Sequence, residues 1–287
     1  MAGRDRAGLA RPGRYQVRSG EAELLQDADR PSGWLLSVGG VPQSYVDTED
    51  PTYLEFDYLR WMADVLDSLA DPGQPLRVVH VGGAGLALPR YLAATRPGSG
   101  QVVFEPDEDL TALVRQVLPI GRASGIRVRG QFGRAGLAGL AADRAEVVVV
   151  DAFAAGRVPA SLTGTDLLAE VARVLRPDGV YLANIADGSP LHYTRRVAAG
   201  VLEVFDHGLL FAEPGVLRGR RFGNLVLAGS TAVLPVAEVT RRAASAGFRA
   251  RVLAGPRLRD FVAGARPFTD ADAVESPEAP PDTWAFR

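Results

Sequence analysis

The residues best placed to do chemistry are a glycine turn and two acids, each standing just after an apolar run. Val81-Gly82-Gly83-Ala84-Gly85 is a turn whose missing side chains let backbone amides approach a ligand. Glu105 ends the run Val102-Val103-Phe104, about twenty residues further on, where a carboxylate can accept hydrogen bonds from both hydroxyls of a ribose. Asp151 emerges from Val147-Val148-Val149-Val150 into a loop with Phe153 and Gly156, a position for a base or an electrostatic partner. Turn and terminal acid, at this spacing, predict nucleoside binding.

What the chain lacks narrows the chemistry. It has no Cys, which excludes a thiol nucleophile, disulfides, Cys-ligated zinc and Fe–S clusters. All 32 basic residues are Arg, so Schiff-base chemistry and a Walker lysine are excluded too. With only His80, His192 and His207, a multi-histidine metal site is not expected. A net charge of −2 gives no global positive field for nucleic acid. No run reaches the ~18–20 apolar residues of a membrane span, and the N-terminus lacks a secretory apolar core. A cytoplasmic protein without membrane or nucleic-acid partner is expected.

The elements that must position these residues are legible as a rhythm. Residues 14–50 read as a small domain of antiparallel strands broken by Gly and Pro. Asp50 as N-cap and Pro51 in the first turn predict a connecting helix over 51–70. Strands at LRVVHV, VVFE, IRVRG, AEVVVVD and VYLANI then alternate with helices, predicting a largely parallel sheet covered on both faces over 71–250. GLLFA and NLVLAGS read as a closing antiparallel edge hairpin. Residues 1–13 read as a tail. Residues 251–287 read as an extension, aperiodic from Arg266 on, either mobile or wrapped over the surface.

A pyrophosphate fingerprint would need glycine where Leu88 stands, and a reversed final strand pair is not the usual dinucleotide ending. A Rossmann-like class I S-adenosylmethionine-dependent methyltransferase fold, with a small N-terminal β domain, fits better. The order of motifs over about residues 33–230 resembles the polyamine aminopropyltransferases, the spermidine synthase family, in its shorter bacterial forms. Gly40-Val41-Pro42-Gln43 is similar to the strand bearing that family's substrate-side glutamine, and Asp50-Pro51-Thr52-Tyr53-Leu54-Glu55 to its active-site tyrosine and glutamate segment. Val81 to Leu86 matches the glycine loop, Glu105-Pro106-Asp107 the ribose-binding Glu-x-Asp, and Asp151-Ala152-Phe153-Ala154 the catalytic loop.

The resemblance implies catalytic roles for Asp151 and Tyr53, and binding roles for Gly82, Gly83, Gly85, Glu105, Gln43 and Phe132. It implies decarboxylated S-adenosylmethionine, or S-adenosylmethionine, as co-substrate without a metal, a small-molecule amine or other nucleophile as acceptor, and a homodimer. The departures matter as much. Gly85 stands where the family has Asp, Ala154 replaces the second acid of the catalytic loop, and Phe132 falls where an Asp faces adenine. An acid at position 85 would repel the carboxylate of the intact sulfonium compound; without it, methyl transfer becomes permissible. Aminopropyl transfer, methyl transfer and a catalytically silent binding or assembly role therefore all stay open. Tyr53 and Glu55 are equally consistent with an amphipathic helix surface, and Gln43 with a loop-bonding side chain. His80 reads as a satisfied core histidine, and Phe132 as a ring that either stacks on adenine or plugs the pocket.

Overall fold

The computed structural model describes residues 11–245, 250–281 and 283. Four strands, β1 (Gly13–Val17), β2 (Gly20–Gln26), β3 (Gly33–Val38) and β4 (Val41–Asp47), form an antiparallel sheet in sequence order. Gly39 and Gly40, both at positive φ, close the two-residue turn between β3 and β4, as the twist of a tight hairpin demands.

A second sheet has eight strands. β5 (Arg77–Val81), β6 (Gly100–Phe104), β7 (Ile126–Arg129), β8 (Ala145–Val150) and β9 (Leu175–Asp187) are parallel, while β10 (His207–Ala212), β11 (Gly223–Ser230) and β12 (Arg251–Ala254) pair antiparallel to their neighbours. Their order, β12-β10-β11-β9-β8-β5-β6-β7, reverses at β5, which pairs with both β6 and β8. That reversal opens a crevice at the carboxyl ends of β5 and β8. Side chains alternate across the sheet. Val78, Val147, Val149 and Leu182 face a core shared with α1 (Asp57–Ser68), α2 (Ala87–Thr95), α3 (Glu108–Val117), α8 (Val236–Ser245) and the small sheet. Val79, Val148, Val150 and Tyr181 face a core under α4 (Gly133–Ala138), α5 (Thr165–Val174), α6 (His192–Val204) and α9 (Pro256–Val262). This is the Rossmann-like α/β fold expected, with a small antiparallel sheet in front. No helix among the described residues is long and apolar enough to cross a membrane.

Three features differ from expectation. The helix expected from residue 51 begins at Asp57. Asp50 caps a turn, not a helix: its carboxylate accepts from the Thr52 N–H, and the Asp50 carbonyl from the Tyr53 N–H. The β10–β11 hairpin is not at the edge, because β12, beyond residue 250, adds to β10, and the short α7 (Pro214–Leu217) interrupts the loop. The Pro177-Asp178-Gly179 turn is a bulge inside β9, between the pairings Ala145↔Leu175 and Val147↔Val180. Of the two readings of the C-terminal stretch, its described part wraps the surface. Phe268 and Ser276 are buried, and Ser276 exchanges backbone and side-chain hydrogen bonds with Val158. Residues 1–10 of the expected N-terminal tail lie outside the described residues.

Candidate active site

A cavity of about 760 Å³ opens at the switch point and runs between the carboxyl rim of the large sheet, β4 and the start of α1. Asp151 stands in it at the end of β8. Its Oδ1 accepts from Asn184 Nδ2 at 2.9 Å, and Asn184 Oδ1 accepts in turn from Asn224 Nδ2 at 3.0 Å. Tyr58, on the first turn of α1, donates its hydroxyl to the same carboxylate. Protein encloses Asp151 although its carboxylate is open to the cavity, so desolvation pushes its pKa up to about 6 against the opposing pull of Asn184 and Tyr58. The phenol of Tyr58 is pushed upward by burial and by Asp151, which keeps it a donor.

Strand alternation explains this grouping. Asp151 shares a sheet face with Val147 and Val149, Asn184 with Val180 and Leu182, and Asn224 with Val226. Three polar residues thus continue three apolar rows at the point where the rows leave the core. Further acids line the same space: Glu55, Asp57 and Glu213, the last ion-paired with Arg221. Burial also raises the pKa of Asp57, with Arg60 opposing. The pocket is acidic and suits a cation.

The glycine loop forms the floor. Gly82 has φ +93°, and a Cβ there would lie 2.1 Å from the Asp151 carbonyl oxygen. Gly83 and Ala84 donate their amides to Glu105 Oε2 at 3.1 and 3.2 Å, while Oε1 accepts from the Asp107 N–H. Glu105 therefore braces the loop beside the cavity and does not line it.

Of the residues singled out by sequence, Gln43, Gly82, Gly83 and Asp151 line the cavity together. Four do not. Tyr53 lies against Arg30 (3.8 Å to the ring centroid) and donates to Glu55 Oε2 at 2.5 Å, so it reaches the site only through Glu55. Gly85 backs onto β4, its amide bonded to Ser44 Oγ at 3.0 Å. Phe132 is 75% exposed at the start of α4. Glu105 is the fourth. Tyr58, Asn184, Asn224 and Asp57 were not singled out by sequence. A polar residue closing an otherwise apolar strand beside that of Asp151 was the available signal for Asn184.

A Cβ on Gly85 would approach Ser44 Cβ to 2.7 Å, so an acid cannot be placed here without moving β4. Gly85→Asp is expected to lower stability by about 2 kcal/mol or more through overpacking. Thermal melting of the variant checks this, and adding Ser44→Gly is expected to recover much of the loss.

No protein-family model matches the chain, and no curated protein matches it. Among solved structures it is similar to a probable spermidine synthase from Corynebacterium glutamicum, at 32% identity over 94% of this chain and 99% of that one, with a TM-score of 0.85. A spermidine synthase in complex with the transition-state analogue AdoDATO shares the fold at 12% identity, with 90% of this chain and 80% of that one covered and a TM-score of 0.56. Human methyltransferase-like protein 13, in complex with SAH, shares it at 22% identity over 65% and 89% of the two chains, with a TM-score of 0.54. The eight-stranded sheet is thus the class I methyltransferase fold, and the chain belongs to the spermidine-synthase-like family.

Proposed function

We propose that the protein transfers an aminopropyl group from decarboxylated S-adenosylmethionine to a small-molecule amine. The observation that carries this reading is Asp151: a carboxylate with its pKa raised to about 6, held by Tyr58 and Asn184 in a cavity that Glu55 and Asp57 make acidic, the Glu213 charge there being met by Arg221. The two acids missing from the family pattern at positions 85 and 154 are offset by these others, which attract an ammonium ion into the pocket. Asp151 accepts one proton from that ammonium. The freed nitrogen lone pair attacks the propyl carbon, the carbon–sulfur bond breaks, and its electron pair leaves on sulfur as methylthioadenosine.

The nucleoside has a fitting cradle. Glu105 Oε2 is taken up by the two loop amides, while Oε1 accepts only the Asp107 N–H and keeps a lone pair beside the cavity, and the side-chain-free Gly82 and Gly83 leave backbone open to it. The reaction is tested by incubating the protein with decarboxylated S-adenosylmethionine and a primary amine, and separately with the intact compound. Methylthioadenosine release in the first supports aminopropyl transfer. S-adenosylhomocysteine formed only in the second would replace it with methyl transfer, and no product from either would leave a binding role.

Because Asp151 must be ionised to take the proton, kcat/KM is expected to fall tenfold per pH unit below an apparent pKa near 6. A limb near the ordinary carboxylate range, about 4, would remove Asp151 from this role.

A further inference from the structure

The small sheet grips the glycine loop and the Glu105 corner at two points. Its β1–β2 turn reaches across at Ser19, whose amide and hydroxyl both donate to Asp107 Oδ2, the amide at 2.7 Å. Its strand β4 reaches across at Ser44, whose Oγ accepts from the Gly85 N–H at 3.0 Å. Between these points the hydrogen bonds run without a break. The Asp107 N–H donates to Glu105 Oε1 at 3.0 Å, and Glu105 Oε2 takes the amides of Gly83 and Ala84, next to Gly85 in the chain. Because β1, β2 and β4 belong to one sheet, the path closes into a ring: Ser19, Asp107, Glu105, the glycine loop, Ser44 and back.

Helix capping alone does not account for these contacts. Capping α3 needs one oxygen of Asp107, and Oδ1 supplies it by accepting the Leu110 N–H at 2.8 Å. Oδ2 is given over to a turn 88 residues away in sequence. Arg18 in the same turn donates from Nη1 to the Pro106 carbonyl at 3.2 Å and pairs with Glu108 at 3.6 Å. The turn therefore holds each of the three residues after Glu105. Burial works against an ionised Asp107, yet the bonds from Ser19 and from the Leu110 amide keep its carboxyl below the ordinary range. Bonds to a charged acceptor are the stronger kind, so the grip is firm.

The ring fixes the direction of the lone pair left on Glu105 Oε1. Without it the side chain regains rotamer freedom, only a fraction of molecules presents the lone pair correctly, and apparent affinity falls by that fraction. We infer that Ser19 and Ser44 are positioning residues for the nucleoside, through which the small sheet holds Glu105 and the glycine loop in their binding arrangement. Nucleoside binding and docking of the small sheet then strengthen one another, since such coupling is reciprocal. This inference rests on the Glu105 cradle proposed above and gives that cradle its control element.

Calorimetric titration of the whole protein with methylthioadenosine tests it. Ser19→Ala and Ser44→Ala are each expected to raise Kd about fivefold. Ser19→Thr keeps the hydroxyl at an exposed position with room for a methyl group, and is expected to keep the wild-type Kd. Thr48→Ala removes a hydroxyl bond to the Ser32 carbonyl, outside the ring, and is expected to leave Kd unchanged. An unchanged Kd in Ser19→Ala or Ser44→Ala, a loss in Ser19→Thr equal to that in Ser19→Ala, or the same loss in Thr48→Ala overturns the inference. Hydrogen exchange gives a second readout: the Ser19 amide is expected to exchange more slowly at saturating methylthioadenosine, and an unaltered rate overturns the inference as well. Glu105→Ala judges the parent reading. If that variant binds the nucleoside as the wild type does, the cradle is wrong and the ring falls with it. If it binds weakly while Ser19→Ala and Ser44→Ala bind normally, the cradle stands and only the ring fails.

Discussion

Replacing Asp151 with Asn is expected to reduce turnover by about 100- to 10,000-fold, the usual range for removing a general base, while leaving the protein more stable than the wild type above pH 6. The second effect has the opposite sign to that of an ordinary buried contact. The carboxyl titrates near 6 in the folded chain and near 4 when unfolded, so the folded state favours the protonated form. Its stabilising contribution is complete below about pH 4 and is lost as pH rises through about 6. Asn keeps the size without the buried charge. It should gain about 1–2 kcal/mol at about pH 8, a figure reduced because the carboxylate opens onto the cavity, and nothing below about pH 4. Denaturant unfolding at the two pH values, beside a single-turnover assay, measures both. A variant that loses turnover and stability together would mark Asp151 as a structural residue.

Gly82→Ala is the site substitution expected to damage the fold most. The position combines φ +93° with a Cβ site 2.1 Å from the Asp151 carbonyl oxygen and 2.7 Å from its carbonyl carbon. Backbone cannot step aside as a side-chain tip can, so strands β5 and β8 must separate where Asp151 leaves the sheet. A loss of about 3 kcal/mol or more is expected, a large share of the stability of an ordinary domain. Gly83→Ala is the control: its Cβ would meet Val103 Cγ1 at 2.9 Å, a methyl on a side chain, and about 1–2 kcal/mol is expected. Equal melting temperatures for the two variants would contradict this account of the loop.

The sheet was legible because its strands are short unbroken runs such as AEVVVV between strongly periodic helices, a pattern set by burial on both faces. The start of α1 was not, because Asp-Pro-Thr serves a helix cap and a turn equally well. The turn is selected by distant partners: Arg30 from before β3 and Tyr45 from β4 pack on the Tyr53 ring. Moving that boundary by six residues hands the approach to Asp151 from Tyr53 to Tyr58. Spacing put Glu105 at its strand end, but it carries no information on whether the carboxylate turns to a ligand or to the loop amides. Phe132 shows the same gap, since residue order gives its place after β7 and not the outward direction of its ring. Asn184 and Asn224 are one layer only after β11 inserts beside β9, a pairing between segments some forty residues apart.

The contact between Ser44 and Gly85 has an evolutionary side. An acid introduced at residue 85 arrives in space already taken by the Ser44 side chain from another sheet, so the change is harmful until residue 44 has changed as well. Changing residue 44 first removes the acceptor of the Gly85 amide and brings no immediate gain. Both single steps run downhill, which makes the pair an epistatic lock: single changes at either residue are selected against, and an acid is more readily gained elsewhere on the rim.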